Sequence, residues 1–168
     1  LCASRGLGDV YKRQTGGSAI AVAQVFMNTN LAATGGVVAT LLTSLIKTGK
    51  MDITMAMNGA IAGLVAITAG PSAPSGGEAV IIGAVGGVIV YFSILFFERT
   101  LKVDDPVGAI SAHGTVGIYG VMVVPLTSDA TFGAQLLGVV LIAGFTYVMS
   151  LLTICLLYTS PSPRDAHK

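Results

Sequence analysis

The sequence predicts an all-α fold: a polytopic transmembrane helix bundle of about five spans. Three observations predict it. Of 168 residues, 53% are hydrophobic and 10% charged, whereas a soluble domain carries about 25% charged residues; the mean hydropathy is +0.81. Five apolar stretches are long enough to cross a bilayer. Basic residues occupy alternate connections between those stretches. A net charge of +1 supplies no basic surface for nucleic acid. Two cysteines make neither a disulfide framework nor a four-cysteine zinc site, and no cofactor or metal is expected.

The two ends are read apart from the rest. Cys155–Asp165 reads CLLYTSPSPRD. One possible coding strand for it has a reverse complement that encodes SRGLGDVYKR, which is Ser4–Arg13. Two unrelated protein ends are not expected from opposite strands of one DNA, and that DNA resembles a transposase adapter used in sequencing libraries. Residues 1–14 and 155–168 are therefore expected to be adapter-like and are set aside from fold reasoning. Cys2, Cys155 and His167 go with them. Residues 15–154 are expected to form the membrane domain. They carry four basic and six acidic residues, a net −2.

A hydrocarbon core about 30 Å thick takes about 20 residues of helix. The first span is expected from about Ile20 to Ile46 and the second over Ile53–Ala69. The third is Ala79–Phe97, the fourth Pro106–Pro125 and the fifth Phe132–Ile154. Short connections make neighbouring helices antiparallel. Lys47 and Lys50 lie between spans one and two, and Arg99 and Lys102 between spans three and four. Gly70–Glu78 and Leu126–Thr131 contain no lysine or arginine. The positive-inside rule places the Lys47 and Arg99 connections in the cytoplasm.

The spans are rich in small residues. Gly59 and Gly63 have GxxxG spacing, as do Gly83 and Gly87; Gly114, Gly117 and Gly120 recur every third residue. In lipid such residues let helix backbones approach closely. Tight packing accounts for them, and a pore would need that packing without being shown by it. Gly83, Gly86 and Gly87 do not form the GxGxxG of a nucleotide-binding turn.

His113 is the leading candidate site residue. Counted from Pro106 as the helix start, it lies about 10 Å into span four. An ionisable residue inside the membrane is costly and marks a candidate functional site. No acidic residue lies within a span to pair with it. A neutral imidazole has one donor and one acceptor nitrogen. It suits a path for a small polar molecule or a proton; the alternative is a histidine bonded to a neighbouring helix. Gln24, Asn28, Thr29 and Asn30 in span one, and Asn58 and Thr68 in span two, suit bonds between helices or contact with a path. Asp104, Asp105 and Pro106 read as a helix cap, with Asp105 at the N-cap and Pro106 at the first helical position. No catalytic cluster accompanies His113, so an enzyme is not expected.

These residues also carry a resemblance. Asn58-Gly-Ala-Ile-Ala-Gly-Leu-Val-Ala-Ile-Thr68, Ile81-Ile82-Gly83, Asp104-Asp105-Pro106 and Ser111-Ala-His113-Gly114 resemble the ammonium transporter (Amt/Rh) family. Phe26-Met27-Asn28-Thr29 fits its seventh-helix pattern. The match covers nearly all of residues 20–154, and the Asp-Asp-Pro motif with its histidine nine residues on is the most specific element.

The resemblance implies helices seven to eleven of an eleven-helix protomer. It implies an outside N-terminus, an inside C-terminus and a homotrimer with one pore per protomer, in the plasma or inner membrane. His113 matches the second of two pore histidines; the first belongs to the fifth helix, upstream of these residues. The gate phenylalanines are also upstream, and Phe26 is not one of them. Gly17-Ser18 resembles the vestibule's glycine–serine motif, which makes Ser18 a candidate substrate contact. Asn58 and Thr68 fall where the eighth helix faces the inner pore. The activity implied is passage of ammonia after ammonium is recruited and deprotonated, with a PII-type signalling protein as a possible partner on the cytoplasmic face. A membrane ammonium sensor on the same fold is the alternative.

Overall fold

In a computed structural model the described residues are 16–159, and side-chain surroundings are described from Ala19. They form five α-helices: α1 Gly16–Thr48, α2 Ile53–Thr68, α3 Gly76–Leu95, α4 Val116–Thr127 and α5 Phe132–Thr159. Two π-helical turns, Phe96–Leu101 and Ile110–Thr115, flank the connection from α3 to α4. No strand occurs among the described residues. The described residues divide into two compact units, one ending at Asp129 and the other beginning at Ala130.

Four helical segments are long and apolar enough to cross a membrane: Ala19–Thr48, Gly76–Leu101, Ile110–Thr127 and Phe132–Thr159. The expected second span is a shorter apolar helix of 16 residues, α2. At 1.5 Å per residue it reaches about 24 Å, against about 30 Å of hydrocarbon. Asp52 stops it at one end: its carboxylate accepts from the N–H groups of Thr54 (2.8 Å) and Met55 (3.4 Å). The connection after Ala69, with Gly70, Pro71 and Pro74, ends it at the other.

The start of α3 is fixed by a capping box. The Ser75 N–H donates to the Glu78 carboxylate (2.7 Å) and the Glu78 N–H to the Ser75 hydroxyl (3.4 Å). In the second unit α5 runs past Ile154 to Thr159. Cys155-Leu-Leu-Tyr-Thr159 is apolar and holds no glycine or proline to stop it.

The first unit is organised around α1. Ala32 and Gly36 of α1 lie against Gly63 and Gly59 of α2 on one side, and against Gly83 and Gly87 of α3 on the other. The Thr40 hydroxyl, fully buried, donates to the carbonyls of Gly36 (2.8 Å) and Gly87 (2.9 Å). Residue order across these contacts makes α1 and α2 antiparallel and α1 and α3 parallel. Both GxxxG pairs therefore do what their spacing suggested, on the same partner helix. The core is correspondingly small-sided, with Ala32, Ala62, Ala66, Ala79, Val90 and Val116 nearly or fully buried.

The polar residues expected in span one divide by role. The fully buried Asn28 donates through Nδ2 to the carbonyls of Pro71 (3.0 Å) and Pro74 (2.7 Å), tying α1 to the α2–α3 connection. Thr29 and Asn30 bond instead to carbonyls one turn back, on Val25 (2.7 Å) and Phe26 (2.8 Å).

The packing makes a direct prediction. A Cβ at Gly83 would run into the Ala32 carbonyl, which is backbone and has little room to move. Gly83→Ala is expected to destabilise the bundle by about 1–3 kcal/mol. Gly77→Ala meets nothing within 4 Å and is expected to stay within about 0.5 kcal/mol. Thermal unfolding of the two variants in detergent checks the difference.

Candidate functional site

His113 stands on the π turn Ile110–Thr115 that leads into α4. The turn is built from both ends. Asp105-Pro106-Val107-Gly108 has aspartate, proline and glycine where a β turn favours them, and the Gly108 N–H donates to the Asp105 carbonyl at 2.9 Å. Gly108 has φ +68°, a conformation that glycine adopts without steric cost. The chain then winds onward, with the Ala112 N–H donating to the Gly108 carbonyl at 2.8 Å.

The Asp105 side chain closes the turn. Its carboxylate accepts from the N–H of Ile110 (3.1 Å), the N–H of Ser111 (3.1 Å) and the hydroxyl of Ser111 (3.0 Å). Asp105 is 4% exposed and Ser111 fully buried. Burial alone pushes the carboxyl upward, but these donors outweigh it and hold Asp105 below the ordinary 3.8. At the far end of the turn, the Val116 N–H reaches back to the Ser111 carbonyl. The Ser93 hydroxyl of α3 donates to the Thr115 hydroxyl at 2.9 Å.

The helical span thus begins at Ile110 rather than Pro106. Pro106 is exposed within the turn. His113 is three residues into the span, about 4–5 Å along it, and not the roughly 10 Å counted from Pro106. The physical reason is the left-handed Gly108, which breaks the helix that proline alone would start. Asp105 caps the helix from five and six residues upstream. Asp104 is exposed and makes no hydrogen bond among the described residues.

α4 packs on α2 in parallel. A Cβ at Gly120 would approach the Ala66 carbonyl at 2.7 Å, and one at Gly117 would meet Val65 at 3.8 Å. His113 precedes these glycines by four and seven residues, and the π winding of Ile110–Thr115 lies between it and α4. Its imidazole is exposed and has no hydrogen-bond partner among the described residues. Asn58 of α2 is 7% exposed. Its amide lies over Gly108, where an added Cβ would meet Nδ2 and Oδ1 at 3.0 Å each. Thr68 is exposed on α2 and its hydroxyl donates to the Leu64 carbonyl at 2.6 Å. The structure brings Asn58 to the base of the histidine turn. It does not bring Thr68 to His113: with Val65 beside Gly117 and Ala66 beside Gly120, Thr68 lies seven to nine residues along α2 from the level of His113, about 10–14 Å. The side chain of Ser18 lies outside the described residues.

The sequence profile of the Ammonium Transporter Family matches residues 13–162. The chain belongs to the ammonium transporter family. It is 36% identical over 126 residues to the ammonium transporter Amt2 of Archaeoglobus fulgidus, a match covering 75% of this chain and 27% of that protein. Amt1 of Haloferax mediterranei is 33% identical over 135 residues, covering 77% and 26%. Among solved structures, a Sensor Amt Protein superposes with a TM-score of 0.76 at 29% identity, covering 87% of this chain and 40% of that one. A Candida albicans Mep2 mutant gives a TM-score of 0.73 at 28% identity, covering 83% and 34%. The chain spans about a quarter of the length of the curated relatives it matches. Those relatives are named as transporters, and the helices of this ammonium transporter family member make it a multi-pass membrane protein.

Ser111, Ser93 and Thr115 are the residues that sequence reasoning missed around the candidate site. Ser111 lay within the Ser-Ala-His-Gly motif, but nothing in its spacing announced a bond to Asp105. The Ser93–Thr115 bond joins two helices and leaves no local signal.

The Asp105 carboxylate gives a pH prediction. Its proton affinity is lower folded than unfolded, so its contribution to stability is fully present above the ordinary 3.8 and disappears as pH falls through the lower folded value. Asp105→Ala is expected to be less stable at neutral pH and to lose less stability on acidification. Unfolding midpoints of both proteins measured down to acid pH check the slope.

Proposed function

We propose that this chain supplies part of the conduction path of an ammonium transporter, with His113 as the polar group that substrate passes. The observation that carries the reading is an imidazole in a candidate membrane span, with no hydrogen-bond partner among the described residues, on a turn held from both sides. The family membership and the curated relatives' names support ammonium as the substrate. An ammonium ion is costly to strip of water in an apolar pore, whereas neutral ammonia is not. A neutral imidazole offers one acceptor and one donor nitrogen. Passage as ammonia, with the proton released or carried separately, fits that chemistry and offers a route to reject potassium, which has no proton to lose.

The rest of the assembly belongs to the same proposal. Residues 15–154 are the membrane domain, with adapter-like ends at 1–14 and 155–168. The Lys47 and Arg99 connections face the cytoplasm. The first pore histidine and a phenylalanine gate come from a portion of the longer protein that this chain does not span, and the whole assembles as a homotrimer. Ser18 belongs to the outer recruitment site. Asn58 serves the inner half from behind the histidine turn, and Thr68 lies further along α2. A PII-type protein is the candidate regulatory partner on the cytoplasmic face. The likeness to a Sensor Amt Protein keeps sensing as the second reading, on the same fold.

His113→Ala in the full-length protein tests the assignment. Ammonium uptake or its selectivity over potassium is expected to change about tenfold or more, equivalent to about 1.4 kcal/mol. Uptake and selectivity both unchanged in proteoliposomes would remove His113 from the path.

A further inference from the structure

We propose that Asp105 and the Ser93–Thr115 pair are positioning residues for His113, clamping the π turn that carries it at both ends. The inference rests on the reading of His113 as a conduction-path residue and extends it to groups that need not touch substrate themselves.

The clamp is nearly symmetric about the histidine. Two residues before it, Ser111 is fixed through both its N–H (3.1 Å) and its hydroxyl (3.0 Å) on the Asp105 carboxylate. Two residues after it, the Thr115 hydroxyl receives the bond from Ser93 at 2.9 Å. Asn58 backs the turn from α2 through its contact with Gly108. Ser111 and Ala112 are buried, yet His113 between the two clamps is exposed. The side chains that fix the turn therefore leave the imidazole itself free.

A π turn needs such support. Its i→i−5 bonds are less favourable than α-helical ones, and isolated π turns recur at functional positions. Ile110, Thr115 and Val116 are β-branched and Gly114 is flexible, so local propensity does little to hold one winding. Downstream, α4 is fixed by the buried Val116 and Gly120. If the turn relaxed to α geometry, the loss of one residue from the winding would rotate what lies upstream by roughly 100° relative to α4. The direction of the His113 side chain relative to α4 would change with it. Asp105 and Ser93 oppose that rotation from separate elements.

The test uses the full-length protein in proteoliposomes, with ammonium-driven current and ammonium-over-potassium selectivity as readouts. Asp105→Ala and Thr115→Val are each expected to shift selectivity in the direction of His113→Ala, by about tenfold or more. In a His113→Ala background the same changes are expected to add less than about twofold, because residues that act through one group are non-additive. Equal losses with and without His113 would mean a general structural role and would overturn the proposal. Should Asp105→Ala fail to fold, Thr115→Val and Ser93→Ala decide by the same criterion. Selectivity unchanged in folded clamp variants, with His113→Ala altered, would refute the clamp and leave the histidine assignment standing. No effect of His113→Ala itself would remove the reading on which the clamp depends.

Discussion

Three helix backbones meet at Ala32 and Gly36, and there is no space between them for a side chain. In water, apolar burial would drive such an assembly at about 25 cal/mol per Å². In lipid the surroundings are as apolar as the interior, so close van der Waals contact and interhelical hydrogen bonds must supply the association. Gly59 and Gly63 on α2 and Gly83 and Gly87 on α3 let both helices settle against α1. Thr40 adds a buried bond to the Gly87 carbonyl. α2 and α3 are placed by this contact, and α4 is placed by them, through Ala66 against Gly120 and Ser93 against Thr115.

The candidate site inherits its geometry from that arrangement. His113 makes no hydrogen bond among the described residues, so the turn beneath it sets its position. The turn depends in turn on a carboxylate outside the span, an amide on α2 and a hydroxyl on α3. A histidine bonded directly to its neighbours would be held more firmly, but its donor and acceptor would be occupied. Support through the backbone and adjacent residues leaves both nitrogens unbonded among the described residues.

Much of the fold was legible because hydropathy and helix length follow from local composition. The apolar stretches marked all five helices, and the GxxxG spacings identified two faces that do pack closely. Helix starts were less legible. Pro106 has the fixed φ that suits a first helical turn, yet Gly108 two residues later takes the left-handed conformation and delays the helix to Ile110. Asp105 was singled out as the cap, but its donors were not legible: the path of the turn brings it Ile110 and Ser111, five and six residues on, and leaves Asp104 exposed. His113 was found from its chemistry, since an ionisable side chain in an apolar span stands out. The residues that hold its turn were not, because hydroxyls such as Ser93 and Thr115 gain meaning only when two distant segments meet. Asn28 shows the same effect: its bonds to Pro71 and Pro74 span more than forty residues of chain.

The most direct measurement is an experimental structure of the full-length protein in a lipid bilayer, with the surroundings of His113 resolved. The account predicts an imidazole facing an enclosed lumen across the membrane, opposite a second polar group from another helix, with Asp105 still capping Ile110 and Ser111. An imidazole facing lipid, or buried in a closed contact with a neighbouring helix, would contradict it.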